Sequence, residues 1–203
     1  MSKKLIIVFE GIEGTGKTHH INNVAKYLQK INKKFIHIRE PGGSVNSETI
    51  RKIILNNKSS FNRYTDLLLY LAARSENIEL IKKNVGKKII LIDRFTDSTI
   101  AYQHYGMGVD LKFITNINNF LLKGINIDFT FLNTVSKKNM NNRLIKRKKL
   151  NRYDKFNHHF YDKVQKGFIK ILKKNPKKYM KINSNQNIDY NEKIILNKIE
   201  DLI

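Results

Sequence analysis

A glycine-rich segment near the start of the chain has the residue types and spacing of a loop that binds phosphate groups. Residues 11–18 read Gly-Ile-Glu-Gly-Thr-Gly-Lys-Thr and match the pattern G-x-x-x-x-G-K-[ST] at every fixed position. The segment follows a short apolar run and opens a segment of helical spacing, where glycines let backbone N–H groups converge on phosphate oxygens. The alternative is a tight glycine turn that binds nothing. The residues predicted to bind a nucleoside triphosphate are Gly11, Ile12, Glu13, Gly14, Thr15, Gly16, Lys17 and Thr18.

Arginine is scarce in a chain that uses lysine freely, since only eight of its 39 basic residues are Arg. A guanidinium offers phosphate oxygens a planar fork of donors that an ammonium group does not. Arg39 and Arg94 each follow a predicted strand closely, and Arg74 ends an apolar helical run. Because the carboxyl ends of parallel strands share one edge of a sheet, we expect a second anion site across a crevice from the glycine-rich loop. The alternative for Arg74 and Arg94 is a structural ion pair.

A possible metal ligand follows the third apolar run of the chain. Asp93 comes after four apolar residues. An acid at this position commonly helps to hold Mg²⁺ beside a phosphate-binding loop, together with the hydroxyl of that loop. Thr18 and Asp93 are therefore the predicted ligands of Mg²⁺, and a buried ion pair is the alternative for Asp93.

The elements that must position these residues are short apolar runs alternating with segments of helical spacing. The runs expected to form buried parallel strands are 5–9, 35–38, 89–92, 129–132 and 179–182. The segments expected to form helices are 18–31, 47–55, 64–83, 110–123, 136–148, 158–174 and 190–202. This alternation indicates a three-layer α/β fold with a five-stranded parallel sheet, and the length suits one domain over residues 1–203. The lysine-rich stretch 146–155 is expected to be a mobile loop.

Four sequence segments together identify a family resemblance. They are FEGIEGTGKT, REPGG, a helix ending in L-L-x-x-A-A-R, and DRFTDSTIAYQ, and they resemble bacterial thymidylate kinases in order and spacing from residue 5 to about 168. The resemblance implies the fold of the P-loop nucleoside monophosphate kinases. It also implies transfer of the ATP γ-phosphoryl group to dTMP, giving dTDP for dTTP synthesis, with Mg²⁺ as cofactor. A homodimer that packs through helices is a further implication.

The same resemblance assigns residues to the dTMP pocket. Arg74 and Arg94 would contact the dTMP phosphate, and the Tyr70 ring would lie against thymine. An amide offers the paired donor and acceptor that thymine presents, which suits Gln103. Tyr102 would lie beside the sugar and disfavour a 2′-hydroxyl. For Tyr70, the alternative is a side chain that only packs in the core. The residues expected at dTMP are Glu13, Glu40, Arg51, Tyr70, Arg74, Arg94, Thr99, Tyr102 and Gln103, with the two glutamates near the sugar or phosphate.

Phosphoryl transfer needs positive charge at the transferring group, and the glycine-rich loop contains no arginine. The stretch 143–152 resembles the arginine-rich lid of the bacterial enzymes, within a lid of about residues 143–156. Arg147 is the first candidate, and a solvated basic loop is the alternative. The predicted catalytic residues are Lys17, Arg94, Arg147, Arg143 and Arg152.

The net charge of +22 raises the question of nucleic-acid binding. The lysines occur in short pairs among Asn and Ile residues, as A/T-rich coding produces, whereas a nucleic-acid-binding module predicts a continuous cationic stripe. No specific nucleic-acid partner is therefore expected. Among enzymes, a deoxynucleoside kinase is the alternative, and it would not need Arg74 and Arg94 to hold an acceptor phosphate. The absence of an N-K-x-D motif argues against a GTPase.

The expected cellular location follows from two features that the sequence lacks, which are cysteine residues and a long apolar run. The chain contains no cysteine, so no disulfide framework argues for secretion. No apolar run approaches the roughly 20 residues of a membrane span, so no membrane association is expected. The sequence favours a cytoplasmic protein.

Overall fold

The computed structural model describes residues 5–147 and 150–203. The strands within these residues form a parallel β-sheet. Five strands pair in parallel in the order β2-β3-β1-β4-β5. They are β1 (Ile6–Gly11), β2 (Phe35–Arg39), β3 (Ile89–Asp93), β4 (Phe129–Thr134) and β5 (Tyr179–Asn183). The predicted five-stranded parallel sheet flanked by helices is confirmed.

Helices connect the strands as a parallel sheet requires. They are α1 (Lys17–Lys30), α2 (Val45–Leu55), α3 (Arg63–Asn84), α4 (Thr96–Thr99), α5 (Leu111–Leu121), α6 (Lys137–Ile145), α7 (His158–Lys174) and α8 (Ile188–Leu202). A π-helix, Ile100–Gly106, continues α4, and 3₁₀ turns span Arg152–Lys155 and Pro176–Lys178. None of the helices in the described parts of the chain is both long enough and apolar enough to cross a membrane.

The central strand explains why both faces of the sheet are covered by helices. Every residue of β1 is buried, as expected of a strand with helices on both sides. Ile7 and Phe9 belong to one apolar cluster, shared with α1 and α8, whereas Ile6 and Val8 belong to another, shared with α3. The alternation follows from the two-residue period of a strand. The two clusters fix the sheet between its helical layers.

Side chains that begin the helices define several of their boundaries. Ser44 accepts a hydrogen bond from the Ser47 N–H at the start of α2, and Asn62 accepts from two N–H groups at the start of α3. Ser136 and Asn157 have the same role at α6 and α7. These side chains satisfy backbone donors that have no partner within the helix.

One predicted boundary was wrong, and two stretches contain structure that the predicted elements did not include. The helix predicted over 136–148 ends at Ile145, and residues 148 and 149 lie outside the described residues. The stretch 146–155, predicted as a mobile loop, ends in a 3₁₀ turn, in which Asn151 accepts from the Tyr153 N–H and Asp154 accepts from the Asn151 N–H. Tyr153 is buried and anchors the turn, so lysine content alone was a poor guide. The helical segment 96–106 was absent from the predicted helices, although the four-residue spacing of Thr99 and Gln103 was interpreted as one helical face.

Strand register gathers the chemistry-bearing residues at one edge of the sheet. Arg39 at the end of β2 and Phe9 of β1 are both aligned with Asp93 at the end of β3. Gly11, which ends β1, is aligned with Asn133. The loops that leave these three strands therefore start from one place, as predicted.

Gly11 is the point at which the sheet cannot tolerate a side chain. Its φ is +138°, and a Cβ atom would overlap the Asn133 carbonyl oxygen of β4. We expect Gly11→Ala to lower the free energy of unfolding by about 2 kcal/mol or more, because strain adds to the clash. Gly124→Ala is the matched control, since Gly124 has a φ of +83° with no atom within 4 Å of the new Cβ. Urea denaturation measures both, and equal losses would contradict the clash.

Candidate active site

The glycine-rich loop connects β1 to α1 in the geometry of an anion site. Gly14 and Gly16 have φ values of +70° and +81°, a region that L side chains rarely adopt. Gly16 precedes the first residue of α1, so the helix N-terminus and its N–H groups face the loop. The Lys17 ammonium group donates to the Ile12 carbonyl oxygen at 2.9 Å and lies 3.3 Å from the Thr15 hydroxyl. The loop thus points donors and positive charge at a single place.

Lys17 is a buried cation with an unusual proton affinity. Burial, followed by the nearby Arg94 guanidinium, lowers the pKa of Lys17 to about 7, although the Asp93, Glu13 and Glu10 carboxylates oppose the shift. A lysine in this environment gains from a bound anion, because an anion offsets both the lost hydration and the repulsion.

Thr18 and Asp93 lie together at the end of this loop. The Thr18 hydroxyl donates to Asp93 Oδ2 at 3.2 Å. Hydroxyl and carboxylate oxygens are the ligands that Mg²⁺ prefers, and this ion usually takes only one or two carboxylates alongside phosphates and waters. The donor set therefore fits Mg²⁺.

Arg94 is held in place by contacts from three directions. It adopts a positive φ of 66°, donates to the Gly11 carbonyl oxygen at 2.8 Å and pairs with Glu13 at 2.7 Å. Its guanidinium also lies over the Tyr102 ring, 5.3 Å from the centroid, and the Tyr102 hydroxyl donates to Glu13. Although burial opposes it, Arg94 and then Lys17 hold the pKa of Glu13 below its usual value. These contacts place a charged fork beside the glycine-rich loop.

One cavity of about 210 Å³ brings most of the predicted site residues together. Its lining extends from the glycine-rich loop to α3 and the π-helix. The predicted residues that line it are Glu13, Lys17, Thr18, Glu40, Arg51, Tyr70, Arg74, Asp93, Arg94, Thr99, Tyr102, Gln103 and Arg147. The predicted residues that are not among its lining residues are Arg143, Arg152, Gly11, Ile12, Gly14, Thr15 and Gly16, so the glycine-rich loop meets the cavity through Glu13, Lys17 and Thr18.

Arg74 is the most deeply buried arginine of the site, with 1% of its surface exposed. It pairs with Glu40 at 2.8 Å and donates to Asn118 Oδ1 at 2.8 Å. The ion pair weighed as an alternative for Arg74 is therefore present. A guanidinium has more N–H donors than these contacts use, and Arg74 also lines the cavity. Burial raises the pKa of Glu40 despite this partner.

Arg51 and Arg39 extend the positive charge toward the β2 edge. Arg51 donates to the Pro41 carbonyl oxygen at 2.5 Å, and Arg39 donates to Glu48 at 3.0 Å. Both line the cavity. Burial, followed by the charge of Arg39, lowers the pKa of Arg51. Cations thus surround this part of the cavity.

Aromatic and uncharged polar side chains of α3 and the π-helix also line the cavity, together with Tyr153 of the 3₁₀ turn. The Tyr70 ring meets the Tyr153 ring edge-on, with centroids 5.9 Å apart. Within the described residues the buried Thr99 hydroxyl has no hydrogen-bond partner. Gln103 donates from Nε2 to Asp66 Oδ2 at 3.0 Å. The place is suited to a flat ring with polar edges.

The three predicted lid arginines differ in their contacts. Arg147 lines the cavity and pairs with Asp154 at 2.7 Å. Arg143 donates to the Gly14 and Ser184 carbonyl oxygens, at 2.8 and 2.7 Å. Arg152 pairs with Asp66 and donates to the Ile54 carbonyl oxygen at 3.1 Å. Only Arg147, of these three, is directed to the cavity.

Sequence reasoning missed several residues that shape the site. Asp66 lies one helical turn before Tyr70 and two turns before Arg74, so helical spacing on α3 could have revealed it. Glu10 accepts from the Phe95 and Ser98 N–H groups at 2.8 and 3.1 Å, and burial raises its pKa. Its only signal in the sequence was an acid directly after an apolar strand.

Comparison with known proteins gives a consistent result. A family model described as thymidylate kinase matches residues 9–195. A thymidylate kinase of Mycoplasma capricolum is 37% identical, covering 97% of both chains, and one of Clostridium novyi is 36% identical, covering 93% of this chain and 95% of its own. A crystal structure of thymidylate kinase from Ehrlichia chaffeensis superposes with a TM-score of 0.79 at 30% identity, covering 98% of this chain and 99% of that chain.

The lowered pKa of Lys17 gives a testable consequence for ATP binding. With a pKa of about 7, Lys17 is mostly neutral at pH 8 in the free protein. A bound triphosphate raises that pKa toward the usual value of a lysine, so we expect binding at pH 8 to take up nearly one proton. Calorimetric titration in two buffers of different ionisation enthalpy measures this uptake.

The control for this measurement is Lys17→Met, which should show no proton uptake if it still binds. Wild-type protein that gives the same binding enthalpy in both buffers at pH 8 would show that Lys17 does not change its protonation.

Proposed function

The chain belongs to the thymidylate kinase family and phosphorylates dTMP to dTDP with ATP, and we propose that the residues lining the cavity described above divide this reaction between them. The observation that carries the proposal is that the phosphate-binding loop and a second group of arginines line the same cavity. A kinase that joins a donor to a phosphorylated acceptor needs both anion sites within reach of each other.

The donor is proposed to bind at residues 11–18. Support comes from the left-handed glycines, the N-terminus of α1 and the buried Lys17 ammonium group. Thr18 and Asp93 would hold Mg²⁺, which when bound supplies positive charge to the phosphoryl oxygens. Lys17 would orient the outer phosphates, since its ammonium group is held at the loop by the Ile12 carbonyl oxygen.

The acceptor phosphate is proposed to lie against Arg94, with Arg51 and Arg74 behind it. Arg94 is supported by its fixed position between Gly11 and Glu13, and the three arginines line one wall of the cavity. Glu13 and Glu40 orient these guanidinium groups and lie near the sugar or phosphate.

The base is proposed to bind at the aromatic end of the cavity. Tyr70 would cover the thymine face, and Thr99 and Gln103 would meet its polar edge. The unpartnered hydroxyl of Thr99 supports this assignment, because a buried polar atom without a partner is unfavourable until a ligand supplies one. Tyr102 lies between Arg94 and this end, where its ring would contact the sugar.

We propose that residues 143–156 act as a lid on a single domain that spans residues 1–203. Within the lid, Arg147 is the residue proposed to reach the transferring phosphoryl group, because it lines the cavity. Arg143 and Arg152 would support it by fixing the two ends of the lid to the glycine-rich loop and to α3. Residues 148 and 149 of the lid lie outside the described residues.

A homodimer is proposed on the basis of exposed apolar side chains on neighbouring helices. Tyr64 and Leu68 are exposed one turn apart on α3, and Phe113 and Phe120 are exposed on α5. The Tyr64 and Phe113 rings are 6.5 Å apart, so the two helices present one surface. A cytoplasmic location is proposed as well, since the chain has no cysteine and uses ATP.

The acceptor assignment predicts that the phosphate of dTMP is required. Thymidine would leave Arg94 and Arg51 facing the cavity without an anion, so we expect its kcat/KM to be about 10³-fold lower than that of dTMP, or less. Incubation with ATP, Mg²⁺ and each acceptor, followed by separation of the products, measures the ratio. Comparable turnover of thymidine would favour a deoxynucleoside kinase instead.

The lid assignment predicts a large effect from Arg147→Ala. Loss of a guanidinium that stabilises transition-state charge should lower kcat by about 10³-fold or more, with little change in KM for dTMP. Arg147→Lys should rescue only part of this loss, because an ammonium group lacks the planar fork. Steady-state kinetics at saturating ATP measures both variants.

Arg63→Ala is the matched control, because Arg63 lies on α3 outside the cavity and contacts the Gly108 carbonyl oxygen. The lid hypothesis is wrong if Arg147→Ala, Arg143→Ala and Arg152→Ala each fold normally and keep the full kcat.

A further inference from the structure

A buried carboxylate joins the base end of the cavity to the lid. Asp66 on α3 has 1% of its side chain exposed and accepts hydrogen bonds from three residues. Gln103 Nε2 donates to Oδ2 at 3.0 Å, the Tyr153 hydroxyl donates to the same oxygen at 2.5 Å, and Arg152 pairs with Oδ1. Every one of these neighbours is a donor, and the carboxylate is the acceptor they share.

This arrangement fixes which end of the Gln103 amide is available to a ligand. A carboxylate only accepts hydrogen bonds, so the NH₂ end of the amide must face Asp66. The Tyr153 hydroxyl lies 3.4 Å from the same nitrogen and strengthens this orientation. A flipped amide would set its oxygen against the carboxylate oxygen, which is strongly unfavourable in a buried place. The carbonyl oxygen of Gln103 is therefore the end left for the cavity that this residue lines.

A carbonyl oxygen at this place distinguishes between pyrimidines. Thymine and uracil carry an N3–H donor between two carbonyl groups, whereas cytosine has an acceptor at N3 beside an amino group. An amide oxygen held toward the base accepts from N3–H of thymine but opposes N3 of cytosine. An amide free to rotate could serve either base, by presenting its oxygen to one and its NH₂ group to the other.

We propose that Asp66 is a positioning residue that locks the Gln103 amide with its oxygen toward the base, and so makes the enzyme reject cytosine nucleotides. The inference rests on the proposed function, in which Gln103 meets the base edge. Arg152 adds the positive charge that balances the buried carboxylate, which ties base selection to the lid. Asp66 itself does not line the cavity and acts through Gln103.

The test is the ratio of kcat/KM for dTMP to kcat/KM for dCMP in the Asp66→Asn variant. An asparagine can turn its own oxygen or NH₂ group toward Gln103, which releases the amide to flip. We expect the ratio to fall about tenfold or more, as for a mispaired hydrogen bond at a specificity site. The ratio of dTMP to dUMP should stay constant, because both bases present the same N3–H donor. A general loss of structure would instead lower the activities with dTMP, dCMP and dUMP together, and would not change the dTMP to dCMP ratio alone.

Asp128→Asn is the matched control, because Asp128 accepts from the Ile6 N–H at 2.7 Å in a part-buried place that does not line the cavity. Its dTMP to dCMP ratio should equal that of the wild type. Thermal unfolding reports whether each variant folds. If Asp66→Asn does not fold, Tyr153→Phe tests the same lock, since it removes one contact to the Gln103 amide and should lower the ratio by a smaller factor.

A double-variant cycle separates this inference from the function on which it rests. In a Gln103→Ala background, Asp66→Asn should leave the dTMP to dCMP ratio unchanged, because the residue it positions is gone. The inference is overturned if folded Asp66→Asn keeps the wild-type ratio, or if it lowers the ratio equally with and without Gln103. If Gln103→Ala alone leaves kcat/KM for dTMP unaltered, the proposed base pocket is wrong and the inference falls with it.

Discussion

Cations held close together in a poorly solvated cavity are the constraint on which the rest of this structure depends. Burial, followed by the neighbouring Arg94, lowers the pKa of Lys17. Carboxylates offset part of this positive charge, since Glu13 pairs with Arg94 and Glu40 pairs with Arg74. A phosphate group completes this balance, whereas a neutral group does not. In the proposed function, this positive charge would favour phosphorylated partners over neutral ones.

Parallel strand order is what allows this cluster to form from distant parts of the sequence. Register aligns Arg39 and Phe9 with Asp93, so the loops after β1, β2 and β3 begin at one edge. Gly11 lies so close to β4 that the phosphate-binding loop starts directly against the sheet. The backbone of the sheet therefore brings together the loops that carry the proposed donor and acceptor sites.

Sequence alone was sufficient for features that depend on local pattern. The loop at 11–18 and the five apolar runs carry their own spacing, and Arg74 and Arg94 stand out in a chain dominated by lysine. The role of Asp66 depends on Gln103 and Tyr153, which are 37 and 87 positions away along the chain, so no local pattern reveals it. The segment 96–106 was not recognised as a helix over its full length because its latter part is a π-helix. The wider turn of a π-helix breaks the spacing by which helices are recognised. The ordered turn at Arg152 depends on burial of Tyr153, which is likewise a tertiary contact.

The three arginines of the proposed lid differ in which parts of the protein their contacts connect. Arg143 is bound to carbonyl oxygens of the glycine-rich loop and of the segment after β5, and Arg152 is paired with Asp66 of α3. Moving either would break a contact with the body of the fold and leave a buried group without its partner. Arg147 pairs with Asp154, which belongs to the lid itself. The Asp154 side chain is fully buried and also accepts from the Asn151 N–H, so an approach of Arg147 to the transferring phosphoryl group would remove a charged partner from a buried carboxylate.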